Sequence, residues 1–162
     1  MTSNLNFSLE EFQLRVSKTQ TEMSKKKLDT IIISDPSNMN WLTGYDGWSF
    51  YVHQAVILPV EGDPIWWGRG MDANGAKRTV FMNPDRIYGY DDSFVQNPDK
   101  HPMIDLSNLI KQEGLNKGKV GVEMDNYWFS ASAFLTLKEE LGSEFYDATG
   151  LVNWQRAIKS DT

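Results

Sequence analysis

The sequence predicts an α/β domain, a mixed β-sheet flanked by helices on both faces, and three observations carry that expectation. Strand-like and helix-like segments alternate along the chain. The β-branched run Thr30 to Ser34, stopped by Asp35-Pro36, suits a strand buried on both faces. Two further apolar runs flank the turn residues Glu61-Gly62-Asp63, which makes them an antiparallel hairpin and the sheet mixed.

Each element has its own signal. Ser8-Leu9-Glu10-Glu11 reads as a capping box, so a helix follows with Leu9, Phe12, Val16 and Met23 on one face and Lys25, Lys26 and Lys27 at its end. Asn38 to Leu42 reads as a short helical turn ended by Gly44. Tyr51 to Val60 and Ile65 to Trp67 are the hairpin strands. Asp72 to Phe81 is read as a helix, Arg86 to Tyr90 as a strand, and Asp91 to Pro102 as a polar loop. Leu106 to Glu113 is helical with Leu106, Leu109 and Ile110 inward, and Gly114 lies past its end. Lys119 to Glu123 reads as a strand, Ser130 to Leu141 as a helix closed by Gly142, and Glu144 to Tyr146 as a last short strand. Leu151, Trp154 and Ile158 then open an amphipathic helix that runs to Thr162.

The chain has 162 residues, a length that favours one domain spanning 1–162. Its 22 acidic against 16 basic residues give a formal charge of −6, so nucleic acid is a poor partner. No apolar run approaches the ~20 residues of a spanning helix, and no signal peptide is visible in Met1 to Asn6, which fits no membrane association and a cytoplasmic location. With no cysteine there is no disulfide framework, thiolate nucleophile or Cys-based zinc site.

The residues of familiar chemistry are sparse. His53 and His101 are the two histidines and have no paired spacing, so a complete metal site is not expected in this chain. Asp72, Glu123 and Asp125 read as capping or turn acids. A nucleophile elbow and a phosphate loop are both missing, and Ser49 reads as a loop hydroxyl. Gly68-Arg69-Gly70-Met71-Asp72-Ala73 matches G-x-G-x-x-A, with Asp91 and Asp92 about 20 residues on, which keeps a dinucleotide-binding domain as one alternative. Its strand is the second arm of a hairpin, however, and glycines that turn the chain are the plainer account. The unusual stretch is Asn38 to Ile57, where Trp41, Tyr45, Trp48, Phe50 and Tyr51 crowd around two glycines. There Trp48, Tyr51 and His53 suggest an exposed aromatic surface for a ligand or partner subunit, and a stand-alone binding module is a further alternative.

The Asp35-Pro36-Ser37-Asn38-Met39-Asn40-Trp41-Leu42-Thr43-Gly44 segment, the Trp154-Gln155-Arg156-Ala157-Ile158-Lys159-Ser160 segment and the order of elements resemble the N-terminal domain of the creatinase/prolidase family. These are the pita-bread metallohydrolases that include Xaa-Pro aminopeptidases and dipeptidases. Gly44 to Gln54 and Gly68 to Arg78 look most like the ectoine hydrolase branch, whose members open a cyclic amidine ring.

The resemblance implies a non-catalytic domain, with a catalytic domain following residue 162 and carrying the two Asp, one His and two Glu ligands of a divalent metal (Mn, Co or Zn). It implies a homodimer in which this domain lies near the partner's active-site mouth and walls the pocket of a small-molecule or peptide substrate. The residues expected there are Trp48, Tyr51, His53 and Arg69. The rings suit a delocalised cation, and His53 suits a hydrogen bond to a carboxylate.

Overall fold

The computed structural model describes residues 5–160. The N-terminal residues 1–4 on which the signal-peptide reading rests, and the expected end of the last helix at 161–162, lie outside them. Ser8 caps α1 (Leu9–Lys26), its Oγ accepting the Glu11 N–H at 3.2 Å. Only this half of the capping box matches the expectation, because Glu11 turns its carboxylate to Arg15 at 2.9 Å instead. Phe12, Val16 and Met23 are buried as expected, whereas Leu9 faces solvent.

Strand β1 (Thr30–Ile33) is buried along its length, and α2 (Pro36–Thr43) follows directly. Asp35 caps α2 through the Asn38 N–H at 2.9 Å, Pro36 fills its first turn, and Gly44 ends it in the left-handed region at φ 82°. A Cβ on Gly44 would stand 2.7 Å from the Thr79 carbonyl oxygen, so both conformation and space demand glycine there.

The hairpin is present as β2 (Ala55–Pro59) and β3 (Ile65–Arg69). The expected strand at Tyr51 starts four residues late, since Ser49 Oγ accepts the N–H groups of Tyr51 and Val52 and holds that stretch as a turn. Helix α3 (Gly70–Thr79) begins two residues before the expected start and stops short of Phe81, whose N–H donates to the Thr43 carbonyl at 3.0 Å.

Strand β4 (Ile87–Tyr90) precedes a loop containing one short 3-10 turn, Asp92–Phe94. Helix α4 (Pro102–Gln112) starts four residues before the expected Leu106, because His101 Nδ1 accepts the Met103 N–H at 3.1 Å and caps it. Strand β5 (Lys119–Val122), α5 (Ala131–Leu141), β6 (Glu144–Asp147) and α6 (Leu151–Ala157) complete the order. The last helix departs from the expectation twice: it ends at Ala157, with Ile158 extended, instead of running on, and Leu151 and Val152 are buried while Trp154 and Ile158 stand in solvent.

Among the described residues, six strands form one sheet in the order β4-β3-β2-β1-β5-β6. β2 runs antiparallel to β1 and β3, and the other neighbours are parallel. Alternation along the strands feeds two cores. Ile31, Ile33, Val56, Leu58 and Trp66 meet α1, α2, α3 and α6 on one face. Ile32, Ile57, Ile65, Trp67 and Val122 meet α4 and α5 on the other. The two faces together make the sheet buried on both sides. No helix among the described residues is long and apolar enough to cross a membrane.

Candidate functional site

All the parallel strands end at one edge of the sheet, and the irregular segment 44–54 enters β2 at that same edge. In open α/β sheets this is the edge that carries sites, because its loops are free to vary while the strands hold them in place. The segment is anchored underneath. Tyr45 is buried against Trp66 with ring centroids 5.1 Å apart, Asn40 Nδ2 donates to the Tyr45 carbonyl at 3.1 Å, and the Asp46 N–H donates to Thr79 Oγ1 at 3.2 Å. Gln54 Nε2 donates to Asp72 Oδ2 at 2.7 Å, which ties the end of the segment to the first turn of α3.

Above these anchors the rings stand outward. Trp48 and Phe50 lie 6.1 Å apart and Phe50 and Tyr51 5.4 Å apart, as a continuous strip. Trp48 is 61%, Phe50 80% and Tyr51 50% exposed, so the strip has no cover among the described residues.

Arg69, the residue before α3, fixes one end of the strip. Its Nε and one terminal nitrogen donate to the two Asp92 oxygens at 2.8 and 2.9 Å, and the other terminal nitrogen donates to the Tyr51 hydroxyl at 3.1 Å. The Asp92 hydrogen bonds hold the guanidinium charged well above its ordinary range, and Arg69 in turn holds the Asp92 carboxyl below its own. This arginine is therefore a paired cation that orients Tyr51, not a free charge awaiting an anion.

His53 is placed differently. Its ring packs on His101 with centroids 4.9 Å apart, and it hydrogen-bonds the Trp128 backbone. Burial, and then His101, push the His53 pKa down to about 4, while burial lowers that of His101. A neutral imidazole with its N–H on a backbone carbonyl is an acceptor at its other nitrogen, so His53 is not a cation for a carboxylate at neutral pH.

Trp48, Tyr51 and Arg69 are thus brought together, with Phe50 bridging the two larger rings, and His53 makes its ring contact elsewhere. Asp92 and His101 are site neighbours that local spacing does not reveal, since their partners lie 23 and 48 positions away in the chain.

The Gly68 to Ala73 segment sits between β3 and β4, which are parallel, so the hairpin argument against a βαβ unit there does not hold. The glycines nonetheless answer to internal packing. A Cβ on Gly68 would stand 2.6 Å from the Trp66 ring, and one on Gly89 would meet Gly70 Cα at 2.7 Å. Asp72 puts a carboxylate in the first turn of α3, where a dinucleotide would bring its pyrophosphate. Asp91 caps the 3-10 turn through the Ser93 N–H at 2.8 Å, and Asp92 is taken by Arg69.

No three His, Asp or Glu side chains converge as metal ligands among the described residues. The His53–His101 pair does not suit a metal either. His101 Nδ1 must stay unprotonated to accept the Met103 N–H, which leaves the proton on Nε2, the nitrogen that would have to coordinate. Beside the strip, a groove of about 900 Å³ runs between α1, α2 and the 155–160 segment, with Trp48, Trp41, Arg15 and Arg156 among its lining. Arg15 is already committed there to Glu11 and to the Trp41 carbonyl, at 2.9 and 3.1 Å.

Comparison with known proteins gives a consistent picture. The ectoine hydrolase of Halomonas elongata is 57% identical over 159 residues, covering 97% of this chain and 40% of that protein. An uncharacterized hydrolase/peptidase of Sinorhizobium fredii is 38% identical over 159 residues, covering 97% of this chain and 41% of that protein. The chain thus spans about 40% of the length of the curated relatives it matches.

Among solved structures, a proline dipeptidase from Streptococcus pneumoniae superposes with a TM-score of 0.72 at 23% identity, over 89% of this chain and 98% of that one. An Xaa-Pro dipeptidase from Bacillus anthracis gives 0.73 at 16% identity, over 93% of this chain and 37% of that one. At those identities the likeness is one of fold. The profile of the creatinase/prolidase N-terminal domain matches residues 15–158, and with 57% identity to a relative along nearly its whole length, this chain belongs to the creatinase/prolidase N-terminal domain family.

Proposed function

We propose that this domain is the non-catalytic N-terminal part of a dimeric, cytoplasmic metallohydrolase that cleaves C–N bonds, of the ectoine hydrolase kind, and that it walls the substrate pocket of the partner subunit. The exposed Trp48–Phe50–Tyr51 strip carries the reading: three large rings face solvent side by side, packed on one another rather than on a core. The identity to an ectoine hydrolase supports the choice of a cyclic amidine over an Xaa-Pro peptide as substrate.

The strip's contribution is to bind and orient. Aromatic faces attract a delocalised cation such as a protonated amidine, and closure of such a wall excludes water. Arg69, locked to Asp92, acts as the residue that holds the Tyr51 hydroxyl in place. His53 contributes an acceptor nitrogen rather than a positive charge. The divalent metal (Mn, Co or Zn) belongs to the catalytic domain, where it would supply Lewis-acid chemistry, and no residue of this chain is assigned to it.

The reading is tested in the full-length protein by steady-state hydrolysis of ectoine and of an Xaa-Pro dipeptide. Wild type is expected to open ectoine, and Trp48→Ala to raise KM. A wild-type protein inactive on ectoine, or a Trp48→Ala variant with unchanged kinetics, would remove the substrate or the wall from the account, respectively.

A further inference from the structure

The chain leaves β1 for α2 on one face of the sheet and leaves β5 for α5 on the opposite face, although β1 and β5 are parallel neighbours. A divergence of this kind opens the crevice in which α/β proteins commonly bind ligands. Here a side chain of the protein fills it. Glu123, directly after β5 and 5% exposed, accepts the Ser34 and Asp35 N–H groups on Oε2, both at 2.8 Å. Asn126 Nδ2 donates to the same oxygen at 3.1 Å, and Asn38 Nδ2 donates to Oε1 at 2.5 Å. All four partners are N–H donors, the set that a carboxylate asks for.

Asn38 is fully buried in the first turn of α2 and faces two ways. Its Nδ2 serves Glu123 and also Asn153 Oδ1 at 2.9 Å, while its Oδ1 accepts from an Arg156 terminal nitrogen at 2.7 Å. An amide is the group that can pass from a carboxylate to a guanidinium in this way, with a donor for one and an acceptor for the other. Asn153 and Arg156 both belong to α6, whose buried apolar anchors are Leu151 and Val152. With so little apolar hold, the helix takes its orientation from the polar contacts.

We infer that Glu123, Asn38 and Arg156 form a positioning relay that locks α6 to the two central parallel strands and so sets the catalytic domain in register with the aromatic strip. The relay's role in catalysis rests on the proposed function. Its role in holding α6 does not.

The test uses the full-length protein, with Arg156→Ala and Asn38→Ala read by hydrogen exchange and by kinetics. The expected result is about tenfold faster exchange confined to α6 together with about a tenfold loss of kcat/KM on ectoine. Millimolar guanidinium is expected to recover part of the loss in Arg156→Ala, a rescue that general destabilisation would not show. Unchanged exchange in α6 overturns the relay. Faster exchange with wild-type kcat/KM overturns its positioning role. Should either alanine variant fail to fold, Arg156→Lys, which keeps the charge and loses the planar donor, is expected to show the same two effects in smaller measure, and a wild-type response from it overturns the relay. A wild-type protein without hydrolase activity defeats the functional reading, and α6 exchange still decides whether the relay exists.

Discussion

The guanidinium of Arg69 and the carboxylate of Asp92 meet fork to fork, at 2.8 and 2.9 Å, and the nitrogen left over reaches the Tyr51 hydroxyl at 3.1 Å. This arrangement makes Arg69, expected at the pocket wall, a brace for Tyr51. Asp92→Asn removes the charge that fixes the fork and releases Tyr51. In the full-length protein this variant is expected to raise the KM for ectoine about three- to tenfold with a smaller change in kcat, measured by steady-state hydrolysis. Tyr51→Phe, which loses only the hydroxyl contact, is expected to do less.

The histidine pair makes stability depend on pH. The folded-state pKa of His53 lies near 4, below the value near 6.5 of an unfolded chain, so between these values the unfolded chain binds more protons. The stabilising difference is present above about pH 6.5 and is lost as pH falls toward 4, by about 3 kcal/mol at most. Urea midpoints at pH 7 and pH 5 check this. Wild type is expected to lose more stability over the interval than His53→Asn, and parallel losses would contradict the assignment.

Glu123 is pushed up by burial and pulled back by the donors around it. Glu123→Gln points an amide N–H at groups that are all donors and leaves one of them unsatisfied. The variant is expected to lose about 1–3 kcal/mol in urea unfolding. An unchanged midpoint would mean that the carboxylate is not the acceptor these contacts describe.

Gly44 combines a left-handed backbone with a carbonyl 2.7 Å from where its Cβ would be. Gly44→Ala is expected to cost about 1–3 kcal/mol, measured by thermal or urea unfolding, because the turn into the aromatic segment has to shift.

The legible parts of the fold were those with local causes. Gly44 ends α2 as read, because a left-handed stop acts within a few residues, whereas Asp35-Pro36, read only as the stop of β1, also caps and starts α2 two residues before the expected Asn38. The both-face burial of Ile31, Ile32 and Ile33 followed from an unbroken apolar run. Where a distant partner decides, the reading failed. The β pattern of Tyr51 to Gln54 is overridden by the Ser49 hydroxyl and by Gln54 reaching Asp72. The start of α4 depends on a histidine cap.

The site divides the same way. The crowding of Trp48, Phe50 and Tyr51 is visible in one stretch of sequence. The pairing of Arg69 with Asp92, the stacking of His53 on His101 and the relay from Glu123 to Arg156 join residues brought together only by the sheet.

The central claim is that the exposed strip forms part of a substrate pocket. Its most direct test is kcat/KM for ectoine hydrolysis by the full-length protein, wild type against the Trp48→Ala/Tyr51→Ala double variant. A loss of about 10²-fold with the oligomeric state and the domain's unfolding midpoint unchanged from wild type is the predicted result. A double variant with wild-type kcat/KM would contradict the account.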